Sequence, residues 1–524
     1  MHRPTLPIES LPMWARLNNV SFHIVKLAHT TGKGYGVVCA QDREPTDDAS
    51  AAAPLLTVPH ALVLNAASVD EYAKEDINFR QLLDAVGHRS PRADTLLFLL
   101  VQTALASRSS PSPVGVSNPW TEYLQFLPAT VLVPTLWTED ERLLLRGTSL
   151  EAAVDAKISA LDAEFGLIVE KSSDVPCWRE LFWDDASSGG TAAAVEFTDW
   201  IRLDALYRSR CLELPRAGES MVPCIDMVNH SGTPSAYYDE SARDDDVVLL
   251  PGPGVSLKQG DEVTISYGED KSAAEMLFSY GFIDPQHAAP TASGSLVLPL
   301  SPFPDDPLAK AKLVAFGEAP KIHVARDAGT TLTVTDRGED GEENGGGSGS
   351  GSIRWRSPFA YLMCVNEEDG LEFKVLQQTD GARSRLRVFW LGEDVTDRTS
   401  AAGGGFDFEA LVGAHPMAAL LRLRVVTVVL ERLQAQLERL GEGTEPDPAD
   451  VPSGGLQRRE ECVAAAALLR QAETGLLVQA VEKLEEERSL LLTDQNVAAY
   501  LGLKEAAESD LECEEASNEA EDFS

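Results

Sequence analysis

Between Met221 and Asp284 an apolar run ends on three polar side chains in succession. The segment Met221-Val-Pro-Cys-Ile-Asp-Met-Val-Asn-His-Ser231 delivers Asn229, His230 and Ser231 where a strand or buried loop should end. Burying such groups is unfavourable unless each finds a hydrogen-bond partner, so any fold of this chain must supply those partners here. The stretch closes with Gly260-Asp-Glu-Val-Thr-Ile-Ser-Tyr-Gly268, a β-rich run, and with the aromatic segment Phe278-Ser-Tyr-Gly-Phe-Ile-Asp284. A satisfied turn at a strand end is one reading of the triplet. The wall of a ligand site is the other.

The rest of the chain alternates in texture. Asn18–Val25 and Thr31-Gly-Lys-Gly-Tyr-Gly-Val-Val-Cys39 read as two strands joined by a glycine-dense turn, in which Gly32, Gly34 and Gly36 permit close backbone approach. This spacing lacks the third glycine of a dinucleotide fingerprint and opens no helix, so it reads poorly as a Rossmann site and leaves a tight turn against a ligand open. Leu55–Pro59 is a further short strand. From about 70 to 210 the period becomes helical. Arg92–Ala106 is apolar on most sides, a short helix ends near Pro128, and Thr138 with Glu139, Asp140 and Glu141 marks a capped helix start. Val195–Leu206 is amphipathic. Beyond Asp284, Gly294–Leu300 and Thr331–Thr335 are strand-like, and Gly338–Ser352 has the composition of a flexible loop. Ala418–Leu440 and Arg459–Leu492 then read as two long helices forming an antiparallel pair or bundle. An acidic tail, Glu505–Ser524, closes the chain. The class is α+β, and no internal repeat is evident.

Composition removes several functions. At 524 residues and 44% hydrophobic content the chain can bury large cores, with two to four domains at about one per 150 residues. Its apolar runs, such as Leu96–Leu100 and Val425–Leu430, fall far short of the ~20 residues that cross a bilayer, so no membrane span is expected. Met1–Arg16 is broken by Pro4, Pro7 and Pro12 and lacks the apolar core of a secretory signal, which points to an intracellular protein. Seven cysteines are scattered without a C-x-x-C pair, so neither a disulfide framework nor a structural zinc is expected. A formal charge of −39 disfavours nucleic acid and anionic membranes and suits a basic protein partner. The sequence has no G-x-S-x-G, H-E-x-x-H or P-loop motif, and its nine histidines form no metal cluster.

The remaining motifs carry a resemblance. Asn229-His230-Ser231, Ile265-Ser-Tyr-Gly268, Ser272-Ala-Ala-Glu275 and Tyr280-Gly-Phe282 resemble the C-terminal half of a SET domain. Gly32–Val38, Pro119–Pro128, Leu136–Arg142 and Tyr207-Arg-Ser-Arg210 are similar to the branch that contains the Rubisco large-subunit lysine methyltransferase and the fungal ribosomal-protein lysine methyltransferases. The resemblance covers residues 15–290. It implies a β-rich SET domain, 15–70 and 201–290, interrupted by a helical insert, 71–200. A mainly helical substrate-binding domain, 291–505, would follow, then the acidic tail 506–524.

The resemblance further implies S-adenosylmethionine as cofactor, met by the backbone at Lys33, Gly34 and Tyr35 and by Arg210, Asn229, His230 and Tyr267. Tyr267 would be the catalytic side chain. Asp226, Tyr280, Phe282 and one of Tyr237 or Tyr238 would line the lysine channel, where aromatic faces favour a cation. No metal is implied. The expected activity is lysine N-methylation of a basic non-histone protein, with ribosomal proteins as the class in view. The expected enzyme is a cytoplasmic or nuclear monomer. A histidine acceptor and a non-catalytic SET-fold interaction module stay open as alternatives. One departure is Ala273, where the branch usually has asparagine, a position expected to tune packing or a loop hydrogen bond. The post-SET cysteines of histone-directed enzymes are absent, consistent with this branch.

Overall fold

A computed structural model describes residues 4–45, 53–108, 115–184, 194–268, 271–285, 294–326, 352–376, 385–396, 408–442 and 458–502. Contacts divide the chain into two compact units, 1–143 with 150–286 and 454–466, and 144–149 with 287–453 and 467–524. Thr331–Thr335, 338–351 of the glycine-rich loop and the tail 506–524 lie outside the described residues.

The first unit is built on strands drawn from its two ends. β1 (Ser21–Phe22), β2 (Val25–Thr30), β3 (Gly34–Cys39) and β4 (Leu56–Val58) come from the N-terminal part. β5 (Cys211–Leu214), β6 (Gly218–Met221), β7 (Asn229–His230), β8 (Ala236–Glu240), β9 (Val247–Pro251) and β10 (Glu262–Ile265) come from the C-terminal part. They pair as β1-β4-β9-β8, β2-β3-β10-β7 and the hairpin β5-β6. The glycine-dense turn does what its composition requires. Thr30 pairs with Gly34 across the β2–β3 hairpin, and Gly32 and Gly34 take φ of +78° and +80°, which a side chain would strain.

Between β4 and β5 the chain is helical. Ser90 caps the helix Pro91–Ala106 by accepting from the Ala93 amide, with proline at its first position. Leu96 to Val101 are all 2% exposed or less, so this helix is buried on every side, as its pattern indicates. Thr138 and Glu141 form a capping box at the next predicted start. The helix Phe197–Arg210 runs four residues beyond the amphipathic segment, because Arg208 pairs with Asp204 one turn earlier, at 2.7 Å. Asp204 is fully buried and also meets Arg92 at 2.7 Å and Lys157 at 2.8 Å, an ion cluster that ties distant parts of this helical region together.

In the second unit the helix Ala418–Glu442 runs antiparallel to the part of the helix Glu460–Leu492 that follows residue 466. Arg470 donates to the Leu440 carbonyl at 2.6 Å, Gln434 to Glu485 at 3.3 Å and Arg422 to Glu487 at 2.6 Å, so positions falling on one helix meet positions rising on the other. Beside them stand two three-stranded antiparallel sheets. One is β11 (Gly294–Pro299), β12 (Lys321–Arg326) and β13 (Ile353–Arg356). The other is β14 (Leu371–Leu376), β15 (Arg385–Trp390) and β16 (Glu393–Asp394). Phe359, Val426, Leu433, Leu477 and Leu484 are completely buried within one shared core. None of the described helices is long and apolar enough to cross a membrane.

Candidate functional site

The sheet β2-β3-β10-β7 gathers the three motifs that the sequence separates by some two hundred residues. β10 runs antiparallel to β3, with Glu262 opposite Val38, and parallel to β7, with Thr264 opposite Asn229 and Ile265 opposite His230. The turn at Lys33–Tyr35, the pair Asn229–His230 and the residue after β10, Tyr267, therefore share one end of a sheet.

Each side chain of the triplet makes a hydrogen bond. Asn229 donates to Glu262 Oε1 at 2.8 Å and to the Thr30 hydroxyl at 3.4 Å. His230 accepts the Tyr267 amide on Nδ1 at 3.1 Å, so in its neutral form the ring carries its proton on Nε2. Ser231, half-buried, accepts the Thr233 amide at 3.1 Å and closes a local turn. Lys33 pairs with the same Glu262 at 3.1 Å and donates to the His230 carbonyl at 3.4 Å. Glu262 thus organises both sides of the cleft, a role its place in an alternating strand did not suggest. Gly36 is fixed by the same group, since a Cβ there would lie 2.6 Å from Asn229 Nδ2.

Tyr267 stands among rings, with His230, Tyr280 and Phe282 centroids at 5.2, 4.5 and 6.4 Å. Its hydroxyl donates to the Val228 carbonyl at 2.8 Å, which leaves the oxygen lone pairs as acceptors. Burial pushes this phenol well above its ordinary range, so it stays protonated at neutral pH. Tyr280, at the end of the helix Ala273–Tyr280, donates to the Tyr267 carbonyl at 3.3 Å. Gly281 caps that helix in the left-handed region, where a Cβ would sit 2.7 Å from the Leu132 backbone. Ala273 opens the same helix and is buried, behind a capping box of Ser272 and Glu275.

A second cluster lies beneath. Arg210 donates from Nη1 to the Asp226 carbonyl at 2.8 Å and stands 3.6 Å from Asp226 Oδ2. Tyr123 donates to the other carboxylate oxygen and accepts the Cys224 amide at 2.8 Å. Burial raises the Asp226 carboxyl while Arg210 and Tyr123 pull it down. Arg210 Nε and Asp226 Oδ2 are buried without a hydrogen-bond partner. Tyr123 and Cys224, the latter held at a positive φ of 71°, were not identifiable from their apolar surroundings in the sequence.

Two cavities meet here. The larger, about 880 Å³, is lined by Lys33, Gly34, Tyr35, Arg210, Asn229, His230 and Phe282. The smaller, about 240 Å³, is lined by Tyr238, Cys211, Glu213, Glu219 and Lys271. Arg210, Asp226, Tyr267 and Tyr280 line both. Every predicted site residue except Tyr237 lines one or the other, and Tyr238 is the member of that pair that does. Among the described residues no group of His, Cys, Asp or Glu could hold a metal ion.

No family model matches the chain. It is 27% identical over 325 residues to SET domain-containing protein 8 of Schizosaccharomyces pombe, covering 62% of this chain and 64% of that protein. It is 27% identical over 301 residues to the ribulose-1,5 bisphosphate carboxylase/oxygenase large subunit N-methyltransferase of Pisum sativum, covering 56% and 54%. The chain therefore spans less than two thirds of the length of these relatives. Among solved structures, Rubisco LSMT bound to AdoMet superposes with a TM-score of 0.60 at 20% identity, over 93% of each chain. The SET domain of LSMT bound to methyl-lysine and AdoHcy gives 0.59 at 20% identity, again over 93% of each chain.

Proposed function

We propose, for a chain that is a SET-fold protein of the Rubisco LSMT-like kind, that it is an S-adenosylmethionine-dependent lysine N-methyltransferase acting on a protein. The observation that carries the reading is Tyr267, standing where a large cleft and a small aromatic cavity meet. The larger cavity suits the cofactor. Arg210 presents a buried donor without a partner, as a carboxylate would require, and the Gly32 and Gly34 backbones have open space about them. Asn229 and His230 add amide and imidazole groups along the wall. When bound, S-adenosylmethionine supplies an electrophilic methyl on a sulfonium.

The chain's own residues do the rest. A lysine entering the smaller cavity passes the faces of Tyr238 and Tyr280, which favour a cation, and the buried Asp226 carboxylate. The Tyr267 oxygen, its proton committed to Val228, accepts a hydrogen bond from the amine and aims its lone pair for in-line attack. Because the phenol stays protonated, it orients the amine and does not deprotonate it. The lysine, with an ordinary pKa near ~10.4, must shed its proton on the way in, helped by loss of solvent. The finer proposal is a basic, ribosomal-type protein substrate and a monomeric enzyme of the cytoplasm or nucleus. The overall charge of −39 supports the basic class by long-range steering. Incubation with tritiated-methyl cofactor and fractionated cell extract tests the reading. Label on a protein lysine is expected; label confined to histidine, or cofactor that does not bind, would overturn it.

A further inference from the structure

The smaller cavity has an exposed end of unusual charge. Glu213 on β5 and Glu219 on β6 line it and face each other directly across the hairpin. Like charges opposite one another in a ladder destabilise it. Neither glutamate has a cationic partner within 4 Å among the described residues, although Glu219 also lies against the Tyr207 hydroxyl. The cations that line the same cavity are engaged elsewhere. Arg208 binds Asp204 at 2.7 Å, Arg210 binds the Asp226 backbone at 2.8 Å, and the Lys271 ammonium sits 5.3 Å from the centre of the Tyr280 ring. Deeper in, the fully buried Asp226 side chain keeps one oxygen without a hydrogen bond. The cavity therefore has a deep anionic group, a wall that already holds one ammonium, and at its exposed end two carboxylates without a cationic partner among the described residues.

We infer that Glu213 and Glu219 read a basic residue beside the acceptor lysine, so that the substrate class is a lysine with an arginine or lysine close to it in sequence. This rests on the lysine-methyltransferase reading and narrows it. An extended peptide advances about 3.3 Å per residue, so within a screening length of about 8 Å the preference is confined to roughly two positions on either side of the acceptor. The selection is local and distinct from attraction by the whole acidic molecule, which is screened beyond about 8 Å at physiological salt.

The test uses the full chain and short peptides with one central lysine, flanked by arginine or by glutamine, at physiological ionic strength. Binding is read by fluorescence anisotropy and methyl transfer by tritium incorporation. Wild type should favour the arginine-flanked peptide, and the double variant Glu213→Gln/Glu219→Gln should lose about tenfold of that preference, since exposed pairs contribute modestly each. Both peptides carry the same acceptor lysine past these carboxylates, so any effect on its entry is common to the two and the ratio between them isolates the flanking residue. A matched double variant at exposed positions of the long helix, Glu482→Gln/Glu486→Gln, alters net charge equally and should keep the preference. Moving the arginine well away from the lysine should abolish it in wild type. Removing the repulsion should leave thermal stability unchanged or raised, which excludes misfolding as the cause. The inference is overturned if wild type shows no preference, if the hairpin variant retains it, or if the control variant loses it equally. Preferential binding with no methyl transfer to either peptide would instead sink the enzymatic reading and leave this recognition standing.

Discussion

Replacing Gly36 with alanine probes how the wall of the larger cavity is held. The added methyl would lie 2.6 Å from Asn229 Nδ2, 3.2 Å from Glu262 Oε1 and 3.3 Å from Thr30 Cγ2. Ordinary contact needs about 3.5 Å or more, so the Asn229 amide must retreat by roughly 1 Å. That breaks or stretches its 2.8 Å hydrogen bond to a charged carboxylate, worth about 1.5–3 kcal/mol. Overpacking of this kind costs about 1–3 kcal/mol of stability. If Asn229 contacts the cofactor, affinity should fall by roughly ten- to a hundredfold for a loss of about 1.4–2.8 kcal/mol. Calorimetric titration with S-adenosylmethionine and a thermal melt measure the two effects separately. Asn229→Ala in the Gly36→Ala background should weaken binding little further, because both changes remove the same contact. Unchanged affinity in the folded Gly36→Ala protein, or full additivity with Asn229→Ala, would refute the chain of reasoning from Gly36 to the cleft.

Arg210→Lys keeps the charge but removes the buried Nε donor and the Nη1 bond to the Asp226 carbonyl, so calorimetry should show cofactor affinity falling about tenfold, alongside a lowered melting temperature. In the second unit, burial pushes the Glu473 carboxyl from 4.5 up to about 7, against hydrogen bonds from the Ser149 hydroxyl at 2.5 Å and amide at 3.1 Å. A raised acid binds its proton more tightly when folded, so its contribution is greatest below about pH 4.5 and falls as pH rises to about 7. The span of about 2.5 pH units corresponds to about 3 kcal/mol at most. Denaturant titrations should therefore show Glu473→Gln gaining stability over wild type between pH 5 and 7.5, and no such gain would place the carboxyl in a more solvated setting.

Much of the site was legible because its groups sit in short local patterns. Thr31–Cys39, Met221–Ser231 and Gly260–Gly268 each combine a β-rich run with polar or glycine residues at its end, and strand pairing then has little choice but to bring those ends together. Glu262 was less accessible: a charged residue in an alternating strand reads as a solvated face, and only the fold shows that Lys33 and Asn229 converge on it. Asp204 is similar, since burial of a carboxylate depends on Arg92, Lys157 and Arg208 arriving from remote segments. In the second unit, Leu371, Phe373 and Val375 alternate with Glu372 and Lys374, yet a six-residue strand signal is outweighed by the long helical patterns that follow it. The choice of Tyr238 over Tyr237 is set by the pleat, which sends neighbours to opposite faces once the register with β9 is known.

The central claim is that Tyr267 orients a lysine for methyl transfer, and one comparison addresses it directly. The wild-type chain and Tyr267→Phe are incubated with tritiated-methyl cofactor and the same unlabelled substrate fraction, with cofactor affinity measured in parallel and the acceptor identified by mass spectrometry. The account predicts methyl-lysine from wild type, near-normal cofactor binding by the variant, and transfer slowed by about a hundredfold or more. Equal rates from the two proteins, or methyl groups on another side chain, would contradict it.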